Sequence, residues 1–151
     1  MTAKEYLLQI RTLRRRCESL ENQLQELRAQ AEGVKAITYD KDRVQTSPEN
    51  RMEILMLRIV DIENKYVKNL ANCHAAIQIR EKQIAGLDNQ LFTEVLTLRY
   101  IDNRSFDDMA RIIQQKYPGK VYRNDYIRHV HGWALKAFEN KYKSSLKKKS
   151  K

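Results

Sequence analysis

The sequence predicts an all-α protein: a long, coiled-coil-like N-terminal hairpin of two helices, then a C-terminal helix-turn-helix domain. Apolar residues recur at alternating spacings of four and three in the first part of the chain, and no long segment alternates apolar and polar residues as a strand would. The 151 residues include only 4 Gly and 2 Pro. We divide the chain into a helical hairpin over residues 1–87, a helix-turn-helix domain over 88–142 and a basic tail over 143–151.

The first helix is expected to run from about Ala3 to Ala31. Gly33 is predicted to end it, because glycine readily adopts the left-handed conformation of a helix cap. The apolar residues of this helix follow an unbroken heptad pattern, which is typical of helices that pack along one seam. They are Tyr6, Ile10, Leu13, Cys17, Leu20, Leu24, Leu27 and Ala31.

The second helix is expected from Pro48 to about Gly86, after a connection over residues 34–47. Ser47 is a suitable N-cap, and proline is favoured at the first helical position. A phase slip of the apolar stripe near Tyr66 indicates a stutter. The two helices are predicted to fold back on each other and to pack through Leu13, Leu20, Leu24, Leu27, Ile59 and Ile62. They are also expected to join two copies of the chain as a homodimer.

Two local signals predict shorter helices after the hairpin. Asp88 and Asn89 interrupt the apolar pattern and are expected to cap a third helix over residues 90–100. Ser105 is expected to cap a fourth helix, with Asp108 three residues later in a variant of the capping box.

The last part of the chain is predicted to contain a loop, a fifth helix and a frayed tail. Pro118 and Gly119 mark the loop over residues 114–123, and the fifth helix is expected from about Asn124 to Tyr142. Trp133 is expected to pack in the small core against Phe106 or Tyr100.

Positive charge is concentrated in the last third of the chain. Residues 1–103 contain 16 Lys and Arg against 15 Asp and Glu, whereas residues 104–151 contain 13 against 4. A solubilising tail explains part of this asymmetry, but a polyanionic partner is favoured because the excess remains when the last six residues are left out. We therefore expect double-stranded DNA as a partner.

The stretch EVLTLRYIDNRSFDDMARII, residues 94–113, resembles the start of the fourth conserved region of bacterial sigma factors. The later stretch YIRHVHGWALKAF, residues 126–138, resembles the recognition helix that follows in that family. Its pattern, and the segment YDKDRVQTSPEN at residues 39–50, are similar to those of small sigma-like proteins encoded by phages and prophages of Gram-positive bacteria. The sigma-like resemblance covers about a third of the chain, and the phage-family resemblance covers nearly all of it.

This resemblance implies a phage-type transcriptional regulator that binds DNA and contacts bacterial RNA polymerase. The chain has no sequence similar to the sigma region that melts promoters, so the resemblance implies an activator or accessory protein rather than a complete sigma factor. One departure is that about seven extra residues lie between Ala110 and Ile127, where sigma-like modules have a tight turn.

The start of the fifth helix is the expected site of base reading, because this end of a recognition helix meets base edges in the major groove. Arginine can bind guanine and asparagine can bind adenine through two hydrogen bonds. The candidate base-reading residues are Arg123, Asn124, Asp125, Arg128 and His129. The candidate phosphate contacts, which supply affinity without sequence preference, are Arg104, Lys116, Lys120, Lys136, Lys141 and Lys143. An ordinary basic helix surface is the alternative interpretation.

Enzyme classes receive no support from sequence motifs. The chain contains no phosphate-binding glycine loop, no GxSxG, no HExxH and no zinc quartet, so we expect no catalysis, cofactor or metal. Two isolated cysteines and the lack of an apolar run of ~18 residues favour the cytoplasm of a bacterial host cell. Two alternatives stay open: a small terminase-like subunit for DNA packaging, and a polymerase-binding protein without DNA contact.

Overall fold

The computed structural model describes residues 1–37 and 48–147, which contain helices and turns but no strand. An all-α fold class is therefore confirmed. The helices are α1 (Ala3–Ile37), α2 (Pro48–Ala85), α3 (Gln90–Leu96), α4 (Phe106–Lys116), α5 (Asn124–Lys141) and α6 (Lys143–Lys147), and a π-helical segment over Thr97–Ile101 follows α3 directly. None of the helices in these residues is long and apolar enough to cross a membrane.

The first helix does not end at Gly33, so that prediction is wrong. α1 continues to Ile37, and Gly33 does not have a positive φ. A glycine within a helix is unfavourable by only about 1 kcal/mol relative to alanine, and the neighbouring turns of a long helix can compensate for it. Pro48 begins α2 as expected. Ser47 and most of the predicted connection lie outside the described residues.

Both predicted caps of the shorter helices are confirmed. The Asn89 side chain accepts hydrogen bonds from the backbone N–H groups of Leu91 and Phe92, at 2.9 and 3.4 Å. The Ser105 hydroxyl accepts one from the N–H of Asp108 at 3.2 Å. These bonds satisfy donors that have no partner within the first turn of a helix.

Two compact units make up the chain. We call them the terminal unit, Met1–Thr12 with His74–Lys151, and the middle unit, Leu13–Cys73. The terminal unit therefore includes the start of α1, the end of α2 and all the shorter helices. The domain boundaries inferred from the sequence stay a prediction.

In the middle unit, α1 and α2 pack through one apolar cluster. Its buried members are Leu24, Ala31 and Ile59, and half-buried side chains surround them, namely Leu27, Met52, Leu55, Ile62 and Tyr66. Four residues of the expected packing set therefore lie in this cluster. Leu13 and Leu20, which were also expected there, are half-buried and outside it.

The terminal unit contains two apolar clusters that share α5 as a common element. The first joins the start of α1, the end of α2, Leu96, Phe138 and Leu146. The second lies between α3, α4 and α5, and its buried members are Val95, Met109, Ala110, Ile113, Ile127 and Val130. Because both clusters are buried against α5, the position of that helix within the unit is fixed along most of its length.

The residues predicted to form a frayed tail are helical as far as Lys147. Leu146 is only 3% exposed, and the Tyr142 hydroxyl donates a hydrogen bond to the carbonyl oxygen of Gln83 at 2.7 Å. The prediction was wrong for these residues because one leucine in a basic segment was enough to dock it on an apolar cluster. Residues 148–151 lie outside the described residues.

Candidate nucleic-acid interface

Residues 102–105 form a short connection that turns the chain from the π-helical segment into α4. Asn103 has a φ of 54°, a left-handed conformation that asparagine tolerates better than most residues. Its side-chain oxygen accepts a hydrogen bond from the Arg11 guanidinium at 2.8 Å. The backbone N–H of Arg104 donates to the carbonyl oxygen of Leu98 at 2.8 Å. These contacts hold the connection at the start of α4.

A chain of polar side chains joins the first turns of α4 and α5. The Asn124 amide nitrogen donates a hydrogen bond to an Asp107 carboxylate oxygen. The Asn124 amide oxygen accepts one from Nε of Arg128 at 2.6 Å. Asn124 thereby links a carboxylate on one helix to a guanidinium on the other, and it restricts the orientations that Arg128 can adopt.

The Arg128 guanidinium also packs on an aromatic ring. It lies 4.6 Å from the centroid of the Phe106 ring, and the Arg99 guanidinium lies 4.5 Å from the same centroid. Arg128 is an exposed residue, and its two terminal nitrogens make no hydrogen bond within the described residues. The hydrogen bond at Nε and the packing on the Phe106 ring therefore hold the Arg128 guanidinium in place. Its two terminal nitrogens face solvent.

The buried Tyr100 and the half-buried His131 form a hydrogen-bonded pair. The Tyr100 hydroxyl and Nε2 of His131 are 2.9 Å apart. Burial, together with the charges of Arg99 and Lys4, lowers the pKa of His131 to about 4. Burial also raises the pKa of Tyr100 to about 12. At neutral pH both groups are therefore uncharged, and in the tautomer protonated on Nδ1 the imidazole Nε2 accepts a hydrogen bond from the tyrosine hydroxyl.

The prediction that Trp133 packs against Tyr100 or Phe106 is wrong. His131 contacts both rings instead, at centroid distances of 5.7 and 5.3 Å. Trp133 is 50% exposed because the buried stripe of α5 passes through Ile127, Val130, Ala134 and Phe138, and position 133 lies outside that stripe. Trp133 contacts the rings of Tyr126 and His129 on the helix surface.

The five candidate base-reading residues are all at the start of α5, but their environments differ. Arg123 is the N-cap residue and makes no side-chain cap bond, and its side chain is exposed. Asp125 and His129 are exposed and one turn apart. Asn124 is half-buried, and its amide is bonded at both ends within the unit. The structure therefore places Asn124 as a support for Arg128.

The six candidate phosphate contacts also fall into two groups. Two of them are engaged within the unit: Lys116 pairs with Glu94 at 2.8 Å, and Lys141 donates to the carbonyl oxygen of Gly86 and lies 3.7 Å from Asp88. The other four are exposed, and their side chains make no hydrogen bond or ion pair within residues 1–37 and 48–147; they are Arg104, Lys120, Lys136 and Lys143.

The predicted loop over residues 114–123 is shorter than expected. α4 continues to Lys116, so the connection consists of residues 117–123. Gln114 ties this connection to α4: its amide nitrogen donates to the carbonyl oxygen of Lys120, and its amide oxygen accepts from the N–H of Tyr122, both at 2.7 Å. Some of the residues predicted to lie in the loop therefore belong to α4. The connection that remains is tied to α4 by the Gln114 side chain.

Sequence reasoning did not identify Arg99, Phe106 or Gln114 as parts of this surface. Arg99 was noted only within the stretch that resembles the sigma region, and Phe106 was expected to pack against Trp133. Nothing in the sequence indicates that the Phe106 ring carries two guanidinium groups. The spacing of Asn124 and Arg128, four residues apart on a helix, was the one signal for their contact.

Within the described ranges, no group of three or more His, Cys, Asp or Glu side chains is arranged to hold a metal ion. The chain matches no protein-family model, no curated protein and no solved structure. The interpretation of this surface therefore depends on its own geometry and charge.

Proposed function

We propose that the protein is a sequence-specific DNA-binding regulator of transcription, in which α4 and α5 form a helix-turn-helix and α5 enters the major groove. The observation that carries this proposal is the Asp107–Asn124–Arg128 chain. A guanidinium that is oriented before binding loses less conformational freedom when it meets a base edge. Its two free terminal nitrogens have the geometry that guanine O6 and N7 accept.

The charge around α5 supports the same proposal. Arg104, Lys120, Lys136 and Lys143 are exposed cations whose side chains make no hydrogen bond or ion pair in the described part of the chain. In a DNA complex such residues neutralise phosphates, which position the protein without reading sequence.

The resemblance to sigma region 4 of phage-encoded proteins suggests how binding would be used. On that basis the protein acts at promoters as an activator or as an accessory to bacterial RNA polymerase, and the polymerase is its second partner. DNA packaging and polymerase binding without DNA contact remain the competing functions.

The test begins with selection of a preferred site from randomised DNA, followed by titration of that site and a scrambled duplex. Arg128→Ala is expected to lose about 1–3 kcal/mol of discrimination at one base pair. Lys136→Ala is expected to weaken both duplexes equally and to reduce the slope of log affinity against log salt by about one. Lys82→Ala, which removes the same charge from an exposed position on α2, is the control.

Three outcomes would reject the proposal in different ways. Equal weakening of both duplexes by Arg128→Ala would leave a basic surface without sequence preference. A wild-type protein that binds RNA polymerase but binds no DNA duplex would favour a polymerase-binding protein. A ring of many subunits in solution would favour a packaging subunit.

A further inference from the structure

α2 carries a second apolar stripe that α1 does not cover. The stripe that contacts α1 passes through Met52, Leu55, Ile59 and Ile62. On the other side of the helix, Leu57, Val60 and Val67 are 66%, 50% and 63% exposed. The two stripes are separated by roughly 135° around the helix axis at 3.6 residues per turn. An amphipathic surface helix needs only one apolar stripe, so the second requires an explanation.

The uncovered residues follow the spacing of a coiled coil. Leu57, Val60, Asn64, Val67 and Ala71 are separated by three, four, three and four residues, and all of them are exposed. They therefore occupy alternating a and d positions, with Leu57, Asn64 and Ala71 at a. Met56, which is 50% exposed, extends the apolar surface at its start. We call this set of six residues the outer seam.

The polar residues within and beside the outer seam are complementary to a second copy of the same helix. Asn64 lies at the middle a position, where a buried asparagine pairs with its equivalent and fixes register and orientation. Glu63 occupies the g position before it, and Lys68 occupies the e position of the following heptad. In a parallel pair these are the positions that form salt bridges between helices.

We infer that the outer seam binds a second copy of this chain, with the two α2 helices parallel and in register. A two-fold axis would place Asn64 opposite its equivalent and would repeat the Glu63–Lys68 pair on both sides. Each copy supplies both an acidic and a basic residue, so Glu63 and Lys68 beside the seam each find their opposite charge on the other copy. This interface lies wholly within the middle unit, and it does not depend on DNA binding by α5.

The length of the outer seam limits the strength of the dimer. From Met56 to Ala71 it spans about 23 Å at 1.5 Å per residue. A seam of little more than two heptads with a polar residue at its centre forms a reversible dimer that dissociates on dilution. The protein would therefore exchange between monomer and dimer within an accessible concentration range.

Sedimentation equilibrium of the full chain over a concentration series tests the surface. The wild type is expected to fit a monomer–dimer equilibrium. Val60→Asp with Val67→Asp should raise the dissociation constant more than about tenfold, because association would then bury unpaired charge. Val121→Asp is the matched control, since Val121 is 76% exposed and lies outside α2. Helix content of each variant, measured by circular dichroism, verifies that it is folded.

A charge-exchange experiment tests the flanking pair. Glu63→Lys and Lys68→Glu should each weaken self-association, and an equimolar mixture should recover dimers that contain one chain of each kind. Glu63 also pairs with Arg28 of its own chain at 2.9 Å. Arg28→Ala removes this competing pair within the chain, so it should not weaken self-association.

Orientation is tested by cysteine cross-linking. In the parallel arrangement Asn64→Cys should form a disulfide between chains on mild oxidation, whereas Lys65→Cys, one position off the seam, should not. The native cysteines are buried, and the wild type oxidised in parallel measures their contribution. A monomeric wild type at all concentrations, equal cross-linking at both positions, or an unaffected double-aspartate variant would overturn the inference.

Discussion

The Arg80 guanidinium lies 4.0 Å from the centroid of the Tyr6 ring, and its Nε donates a hydrogen bond to the carbonyl oxygen of Tyr6 at 3.0 Å. Its terminal nitrogens donate to the side chain of Gln9 at 2.6 Å and to the carbonyl oxygen of Ala76 at 3.2 Å. Arg80 is only 2% exposed, and burial lowers its pKa below the usual value. A buried cation with neutral acceptors thus joins the start of α1 to the end of α2.

Replacement of Arg80 should destabilise the terminal unit. Arg80→Ala is expected to reduce the free energy of unfolding by about 2–5 kcal/mol, because it leaves buried acceptors without donors and opens a cavity. Arg80→Lys should be nearly as harmful, since an ammonium cannot reproduce the planar arrangement of donors. Urea denaturation measures both, with exposed Lys82→Ala as the control. An Arg80→Ala change below about 0.5 kcal/mol, typical of ordinary surface positions, would contradict this role.

His131 should make stability depend on pH in weakly acidic solution. Its pKa is lowered to about 4 in the folded protein from an ordinary value of 6.5. Between these values the unfolded chain binds the additional proton, so stability is fully present above pH 6.5 and falls as the pH falls toward 4. The difference in melting temperature between wild type and His131→Gln, measured from pH 7.5 to 4, should shrink on acidification. A difference that is constant with pH would show that the imidazole does not titrate in this way.

Asn124 should act on DNA through Arg128. Asn124→Ala is expected to reduce discrimination between selected and scrambled duplexes, and the double variant with Arg128→Ala should be little worse than Arg128→Ala alone. Residues in one hydrogen-bonded network are coupled in this manner, whereas independent contacts add. Additive losses, together with a changed preference at a second base pair, would instead make Asn124 a base-reading residue in its own right.

The thiols of the middle unit should be unreactive while the protein is folded. Cys17 and Cys73 are 8% and 5% exposed, and burial raises the pKa of Cys17, with the nearby Cys73 thiol acting in the same direction. Less of the Cys17 thiol is therefore ionised at neutral pH, so less thiolate is present there to attack a reagent. Titration with an aromatic disulfide should detect both thiols in denaturant and show slow reaction without it. Rapid reaction of two thiols in the native protein would contradict the packing of α1 on α2 at this level.

Local signals predicted the all-helical fold and the caps Asn89 and Ser105, which agree with the structure, whereas the predicted cap at Gly33 does not. The heptad in α1 and the caps Asn89 and Ser105 involve residues a few positions apart, so the sequence contains the information needed. Arg80 is different: it lies between Ile79 and Glu81 in α2, and only the packing of distant Tyr6 makes it buried. The internal pairing of Lys116 with Glu94 is likewise a long-range contact, and composition alone made that lysine a phosphate ligand.

The cluster that joins α1 to the last helices also affects how the chain folds during synthesis. Ala3, Tyr6 and Leu7 are buried against the same cluster as Phe138 and Leu146, and the Tyr6 and Phe138 rings are 6.2 Å apart. These apolar residues of α1 are therefore translated long before the residues of α5 and α6 against which they pack. Closure of such a long loop is slow, so the terminal unit completes its folding only after Leu146 has emerged, and a chain cut before α6 would expose the apolar start of α1.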